Sequence, residues 1–336
     1  MTSCYLIAEI GVNHGGDLAL AKEMVTAAKE AGADAVKFQT FTAEALVTPD
    51  TPKVAYQEKT TPPDESHYEM IRSLELARKD HEPLMDFCKA QEIGFISTPY
   101  DVDSARFLHE LGVPMFKVAS ADVVDLPLHE FLANTGRPVI LSTGMATLGE
   151  VEEMLAVYKE RQHSNLILLH CVSNYPCSPD SLNLRVMQTL FQAFGLPVGF
   201  SDHSEGSTAA VMAVAMGARM IEKHFTLDRG LPGPDHQASC TPEEFSDLVW
   251  AVREAEKMLG SPVKECQLEE RQMAEVSRKS LTLRVSKNKG ELVQPDDLVN
   301  MRPGVGLLAR HMDSLVGRKM LRDCPEMHKI DWEDVE

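Results

Sequence analysis

Three neighbouring pieces decide how this chain folds: Gly199-Phe200-Ser201-Asp202-His203, Ile221-Glu222-Lys223-His224-Phe225-Thr226 and Gly230-Leu231-Pro232-Gly233-Pro234-Asp235-His236. Each of the first two reads as a short apolar strand whose last residues turn abruptly polar, and residues 207–217 between them read as a helix. Two parallel strands joined by such a crossover are neighbours in one sheet. His203 and His224 then reach the same end of adjacent strands, close enough to share one divalent ion. Imidazole suits zinc, iron, manganese and related metals. The competing reading is a pair of hydrogen-bonded core histidines. Asp202, Glu222 and Asp235 beside them keep the metal reading in play.

Working outward, the same unit recurs: an apolar strand, a polar tip, a helical pattern. Strands are expected at 5–10, 35–41, 94–98, 115–120, 138–143, 166–171, 198–202 and 220–225. Helices are expected at 18–31, 68–91, 102–111, 148–161, 185–194, 207–216 and 242–259, with Gly32, Gly94, Gly112 and Gly217 placed as C-caps. Apolar strands alternating with helices mean a parallel sheet buried on both faces. Eight such units match a closed (β/α)8 TIM barrel, about 250 residues in size. An open doubly wound sheet is disfavoured, because no glycine-rich dinucleotide fingerprint follows the first strand.

All the polar tips fall at carboxyl ends of strands, the rim where barrel active sites lie. They are Glu9, Lys37, Gln39, Thr98, Lys117, Ser120, Asp122, Ser142, Thr143, Ser173, Tyr175, Ser201, His203, Glu222 and His224. One lysine in a strand is commonly a snorkelling edge residue. Two of them, Lys37 and Lys117, in otherwise apolar strands need buried partners. With Ser120, Ser142, Ser173 and Ser201 they make a site of cations and hydroxyls fit for a phosphate plus a carboxylate.

Residues 42–67 form a loop longer than barrel loops usually are, read either as a substrate lid or as a disordered insertion. Residues 263–274 look like a connecting helix. From Lys279 the texture changes: Leu281, Leu283 and Val285 alternate with polar residues, and Arg302-Pro303-Gly304 marks a turn. The expected organisation is a barrel at 1–262, a linker at 263–278 and a small β-rich domain at 279–336. The 33 basic and 51 acidic residues give a formal charge of −18 with no basic run, which argues against nucleic acid or an anionic membrane as partner. No apolar run approaches the length of a transmembrane helix, and the N-terminal stretch does not read as a signal peptide. Seven scattered cysteines without a C-x-x-C pair fit reduced thiols in a cytoplasmic protein.

Taken together, the motifs resemble the sialic acid synthase family. They are Ala8-Glu9-Ile10-Gly11-Val12-Asn13-His14, Val36-Lys37-Phe38-Gln39-Thr40, Ile96-Ser97-Thr98-Pro99, Lys117-Val118-Ala119-Ser120 and Leu141-Ser142-Thr143-Gly144-Met145. His170 to Pro176, Ser201-Asp202-His203, Lys223 to Thr226, Pro232 to His236 and Arg302-Pro303-Gly304 continue the series in both expected domains. The resemblance implies that the C-terminal domain is similar to type III antifreeze proteins. It also implies condensation of phosphoenolpyruvate with an N-acetylated amino sugar: N-acetylmannosamine to give N-acetylneuraminate, or a 2,4-diacetamido-2,4,6-trideoxy sugar to give legionaminate.

By the same resemblance, Lys37, Gln39 and Thr98 would face the carboxylate of phosphoenolpyruvate, and Lys117, Ser120, Ser142, Ser173 and Ser201 its phosphate. His203 and His224 would hold Mn2+, with Mg2+ or Co2+ as alternatives. Glu222 and Asp235 would hold metal-bound water or sugar hydroxyls, and Glu9, Tyr175 and Arg302 would line the sugar site. Asp122 stands where several members carry Glu, and Ser173 where some carry Asn, a role Asn174 could take. Glu9, Asp122, Glu222 and Asp235 are thus the candidate acid–base groups. A homodimer in which each small domain covers the partner's barrel mouth is also implied.

Overall fold

A computed structural model describes residues 3–62 and 64–336; Met1 and Thr2 of the N-terminal stretch, and Pro63 of the long loop, lie outside the described residues. The chain divides after Gly260 into two units, Met1–Gly260 and Ser261–Glu336.

The first unit is a TIM barrel. Strands β1 (Tyr5–Gly11), β2 (Ala35–Thr40), β3 (Gly94–Pro99), β4 (Phe116–Val118), β5 (Val139–Ser142), β6 (Leu166–Cys171), β7 (Val198–Asp202) and β8 (Met220–His224) close in sequence order. Every neighbouring pair is parallel, β8 back to β1 included. Helix α1 (Leu18–Glu30) follows β1. After β2 come α2 (Ala43–Leu46), α3 (Ala55–Thr60), α4 (His67–Ser73) and α5 (Arg78–Ala90). Then α6 (Val102–Leu111), α7 (Leu126–Asn134), α8 (Leu148–Glu160), α9 (Val186–Phe194), α10 (Thr208–Ala215) and α11 (Pro242–Leu259) follow the later strands one by one.

Side chains alternate across each strand, so the barrel has two cores. Leu6, Ala8, Val36, Phe38, Phe116, Val118, Leu141, Leu168 and Phe200 face the helices in one large cluster. Ile7, Ala35, Ile96, Ile140, Leu169 and Met220 form a separate plug inside the barrel. Two residues further along these strands stand Glu9, Lys37, Thr98, Ser142, Cys171 and Glu222, all buried. A polar layer therefore rests directly on an apolar floor, at the carboxyl rim.

Several expectations need correction. The helix expected at 68–91 is two helices, because it serves two apolar clusters. Met70 and Leu74 pack with Val12 and Phe41 at the mouth, whereas Leu84 and Cys88 join the main core. Helix α7 was not expected; Asp125 caps it through Leu128 N–H and Pro127 starts it. Gly94 is no C-cap: Glu92 takes the left-handed turn, at φ 53°. Gly94 instead opens β3, where an added Cβ would come within 2.6 Å of the Tyr5 hydroxyl and 2.9 Å of Ala35 Cβ. The expected strand at 115–120 stops at Val118, and Ser120–Val124 forms a 3-10 turn.

In the second unit the helix expected at 263–274 is α12 (Arg271–Ser277), entered through a 3-10 turn at Leu268–Glu270. Strands β9 (Ser280–Leu283) and β10 (Leu298–Met301) pair antiparallel, and isolated bridges such as Lys287 with Cys324 extend the pairing. Short helix α13 (Met312–Leu315) completes it. Leu281, Leu283, Val293, Leu298, Leu315, Met320 and Ile330 form its own core. The unit holds less regular strand than the sequence led us to expect.

Candidate active site

The rim encloses a cavity of about 430 Å3. Glu9, Lys37, Gln39, Lys117, Ser120, Ser142, Ser173, Tyr175, Ser201, His203, Glu222, His224 and Asp235 all line it. Residues scattered over most of the first unit's sequence thus converge on one space. Thr98 lies just behind, its hydroxyl accepting from Lys37 Nζ at 3.2 Å. Asp122 sits in the 3-10 turn after β4, outside the lining, and Asn174 is exposed, its amide donating to the Pro176 carbonyl at 2.8 Å. Arg302 is exposed on the second unit.

Two lysines and two carboxylates occupy the floor. Lys37 Nζ is 2.8 Å from Glu9 and 3.9 Å from Glu222, and Lys117 Nζ is 3.5 Å from Glu222. Lys117 also donates to Ser142 Oγ at 2.7 Å, Ser201 Oγ to Glu222 at 2.9 Å, and Gln39 to Glu9 at 3.1 Å. Burial opposes ionisation of Glu222, but Lys117, Lys37 and Ser201 outweigh it and hold the carboxyl down at about 2. Burial raises Glu9 in spite of Lys37. Burial also lowers the Lys117 ammonium, whereas at Lys37 it is outweighed by Glu222 and Glu9. Asp122 is pushed up to about 7 by burial and by the charge of Asp125. Two lysines and two carboxylates are thus buried side by side, and mutual pairing is what makes this tolerable.

Beside this floor stand the histidines. Their ring centroids are 5.4 Å apart, and Tyr175 packs against both, at 4.1 Å from His203 and 5.3 Å from His224. His203 Nδ1 bonds the Val172 carbonyl at 2.8 Å, which leaves Nε2 for other use. His224 Nδ1 is buried without a hydrogen-bond partner. A buried imidazole nitrogen left open next to a second imidazole and a carboxylate fits a divalent ion. The second unit brings Cys324, His328 and Asp334 together as well. There the Asp334 carboxylate is already engaged by Arg322, His328 Nε2 and the Asp331 N–H, so that group reads as a structural tie.

Residues that reasoning from the sequence missed fall into two kinds. Cys171 and Gly144 lie in quoted motifs but have no obvious polar function. Gly144 N–H donates to Ser120 Oγ at 3.0 Å, and a Cβ there would collide with Ser173 Oγ and come within 2.8 Å of Ser120 Oγ. The second kind is apolar: Phe41, Leu46, Val47, Val54, Met70, Ile71, Leu74 and Tyr100 wall the outer cavity from the segment after β2 and from β3. A hydrophobic loop residue carries no signal in one sequence that separates lining from packing.

Residues 24–264 match the NeuB family. Over 338 residues the chain is 44% identical to N,N′-diacetyllegionaminic acid synthase of Legionella pneumophila, spanning 99% of this chain and 95% of that one. It is 36% identical to the N-acetylneuraminate-9-phosphate synthase of Homo sapiens, across 95% of this chain and 89% of that one. Among solved structures, the N-acetylneuraminic acid (sialic acid) synthetase of Leptospira borgpetersenii, in complex with citrate, superposes with a TM-score of 0.71. The alignment has 36% identity and covers 81% of this chain and 90% of that one. A lysine-and-carboxylate floor at a barrel rim could serve several chemistries, but similarity this extensive selects one: the chain belongs to the NeuB family, the sialic acid synthases, and is an enzyme of that family.

Proposed function

We propose that the enzyme condenses phosphoenolpyruvate with an open-chain 2,4-diacetamido-2,4,6-trideoxy-mannose and water, giving a legionaminic acid and phosphate. The carrying observation is the juxtaposition, in one cavity, of the Lys37–Lys117 floor with the His203–His224 pair. Two features support this acceptor over N-acetylmannosamine, the sugar expected first from sequence. One is the 44% identity to the Legionella enzyme. The other is the apolar outer wall of Phe41, Val54, Met70 and Leu74, which suits a sugar carrying two acetyl methyls and a deoxy methyl. N-acetylmannosamine is the second reading, supported by the identity to the human enzyme.

Lys117, Ser120, Ser142, Ser173 and Ser201 hold the phosphate, and Lys37 and Gln39, with Thr98 behind, hold the carboxylate. His203 and His224 would hold a divalent ion, Mn2+ or in its place Mg2+ or Co2+, and Glu222 and Asp235 would hold water beside it or sugar hydroxyls. Bound there, the ion supplies Lewis acidity to the sugar aldehyde. The enol carbon forms a bond to the aldehyde carbon, and the aldehyde oxygen takes up a proton. Positive charge then develops at the phosphate-bearing carbon, where Glu9, at the cavity floor, stabilises it. Water adds to that carbon and loses a proton, and the tetrahedral species expels phosphate toward Lys117. Asp122, outside the lining, acts on the Ser120 turn. Holding both substrates in one pocket removes much of the encounter entropy.

The second unit is the antifreeze-like domain of a homodimer, Arg302 reaching the partner's sugar. Leu268, Met273 and Val276 leave the connecting segment 75%, 66% and 60% exposed, apolar surface that an assembly would cover. Cytoplasmic residence follows from the substrates, and no helix among the described residues is long and apolar enough to cross a membrane. The test is phosphate release from phosphoenolpyruvate with a panel of amino sugars. Turnover of N-acetylmannosamine alone reverses the order of acceptors, and no turnover with any amino sugar overturns the function. Mixing Arg302→Ala with His203→Ala chains tests the shared site: activity returns in heterodimers only if Arg302 serves the partner.

A further inference from the structure

On β7 and β8 the side chains alternate in parallel. Ser201, His203, Glu222 and His224 line the cavity, whereas Asp202 and Lys223 between them do not. Asp202 and Lys223 are 1% and 4% exposed, and the strand register sets them directly opposite each other. Their side chains meet at 2.8 Å, on the face of the sheet where the other strands carry apolar residues. A hydrophobic pair would fill that layer at less desolvation cost, so packing alone does not account for the charges.

The pair also holds the backbone after His203. Asp202 Oδ1 accepts from Ser204 N–H at 2.9 Å and from Ser204 Oγ at 2.6 Å, while Lys223 Nζ donates to the Ser204 carbonyl at 2.5 Å. Residues 202 and 204 are therefore fixed on either side of His203, and residue 223 just before His224. A one-residue slip of β7 against β8 would turn His203 away from the cavity and leave two buried charges unpaired.

We propose that Asp202 and Lys223 are positioning residues whose ion pair sets the register, and hence the spacing, of the two histidines for a shared divalent ion. This rests on the metal reading above and deepens it: the metal centre is built by a second, outward-facing pair of residues that touches neither metal nor substrate.

The experiment titrates Mn2+ into the full-length protein and follows the free ion by electron paramagnetic resonance, so that no turnover is needed. The variants are Asp202→Asn with Lys223→Met, which leaves no unpaired charge, and Ser204→Ala, which removes one of the carboxylate's hydrogen bonds and keeps the ion pair. We expect wild type to bind one ion and the double variant to bind about 10–100-fold more weakly, the usual effect of removing an outer-shell partner. Far-UV circular dichroism should be unchanged, and the KM for phosphoenolpyruvate, read at saturating Mn2+, should stay within about twofold, the largest shift that would still separate a metal-specific effect from general loosening of the rim. Wild-type affinity in a folded double variant overturns the proposal, because the pair is then structural only. Ser204→Ala, which keeps the pair, should bind Mn2+ as wild type does, and weakening there as large as in the double variant would place the role in the turn and overturn the proposal. Should the double variant not fold, Asp202→Asn and Lys223→Met singly decide, since each breaks the pair: weakened Mn2+ binding supports the proposal and unchanged binding overturns it. A wild-type protein with no saturable site removes the metal reading itself, a result distinct from both.

Discussion

The rim of the barrel and the segment that follows β2 both line the cavity, yet they are built on opposite principles. Rim groups stand on strands whose backbone is paired on both sides, above an apolar plug, and their charges are buried against one another. Among its described residues the segment from Thr42 to Ser66 carries only short helices, and Leu46, Val47, Val54 and Gln57 reach the cavity from those helices and the loop between them. Its order depends on a few tethers. Lys53 Nζ donates to Thr61 Oγ1 at 2.9 Å and to the Pro62 carbonyl at 3.1 Å, and pairs with Glu65 at 3.2 Å. Thr60 Oγ1 donates to the Pro234 carbonyl at 3.3 Å, joining the segment to the loop after β8. Reacting groups need fixed geometry, whereas acceptor choice tolerates a wall that adapts. The lid reading of this loop fits that division.

Breaking the rim should have the largest effect. His203→Ala or His224→Ala should lower kcat at least about a thousandfold, because Lewis-acid stabilisation amounts to several kcal/mol. The melting temperature should hold, since both side chains face the cavity and not the packed layers. EDTA should silence the wild type and Mn2+ restore it; full turnover by verified metal-free protein defeats the assignment.

Next comes Lys117→Ala. Loss of a charge-assisted contact to phosphate should raise the KM for phosphoenolpyruvate by about 100-fold. Affinity for the amino sugar should move far less, and equal losses on both substrates would point to general collapse of the floor.

Gly144→Ala asks whether the rim tolerates one methyl group. The new Cβ has to displace Ser120 or Ser173, a packing cost of about 1–2 kcal/mol, which predicts about a tenfold loss in phosphoenolpyruvate affinity by calorimetry. Ser120 and Ser173 are not anion ligands if binding is unaffected.

The turn behind the rim offers a milder probe. The Asp122 carboxyl, pushed up to about 7, binds its proton more tightly folded than unfolded. Its contribution to stability is therefore full below the ordinary carboxylate range and is lost as pH rises through about 7. Wild type should lose a few degrees of melting temperature relative to Asp122→Asn over that interval. Parallel curves for the two proteins would contradict the buried-carboxyl account.

The smallest effect belongs to the loop. Lys53→Ala removes the tether and should raise the amino-sugar KM only about three- to fivefold, with the phosphoenolpyruvate KM unchanged, since one bond network near solvent is worth about 1 kcal/mol. A loss in kcat as large as that of the rim variants would erase the division between the two regions.

The sequence by itself determined the barrel, its strand count and most of its rim, for a local reason. A strand that is apolar until its last residues has one stable place, with its body in the sheet and its polar end at the carboxyl rim. Glu9, Lys37, Lys117, Ser201, Glu222 and the two histidines were legible on that rule. The tertiary structure decided what depends on who stands opposite whom. It broke the helix expected at 68–91 because its halves face different apolar clusters, and it left Asp122 and Asn174 out of the cavity lining while their neighbours Ser120, Ser173 and Tyr175 face in. It gave Gly144 its purpose, as the close neighbour of two serines. It also paired Asp202 with Lys223 behind the histidines, because register between strands is a property of the closed sheet and of no single segment.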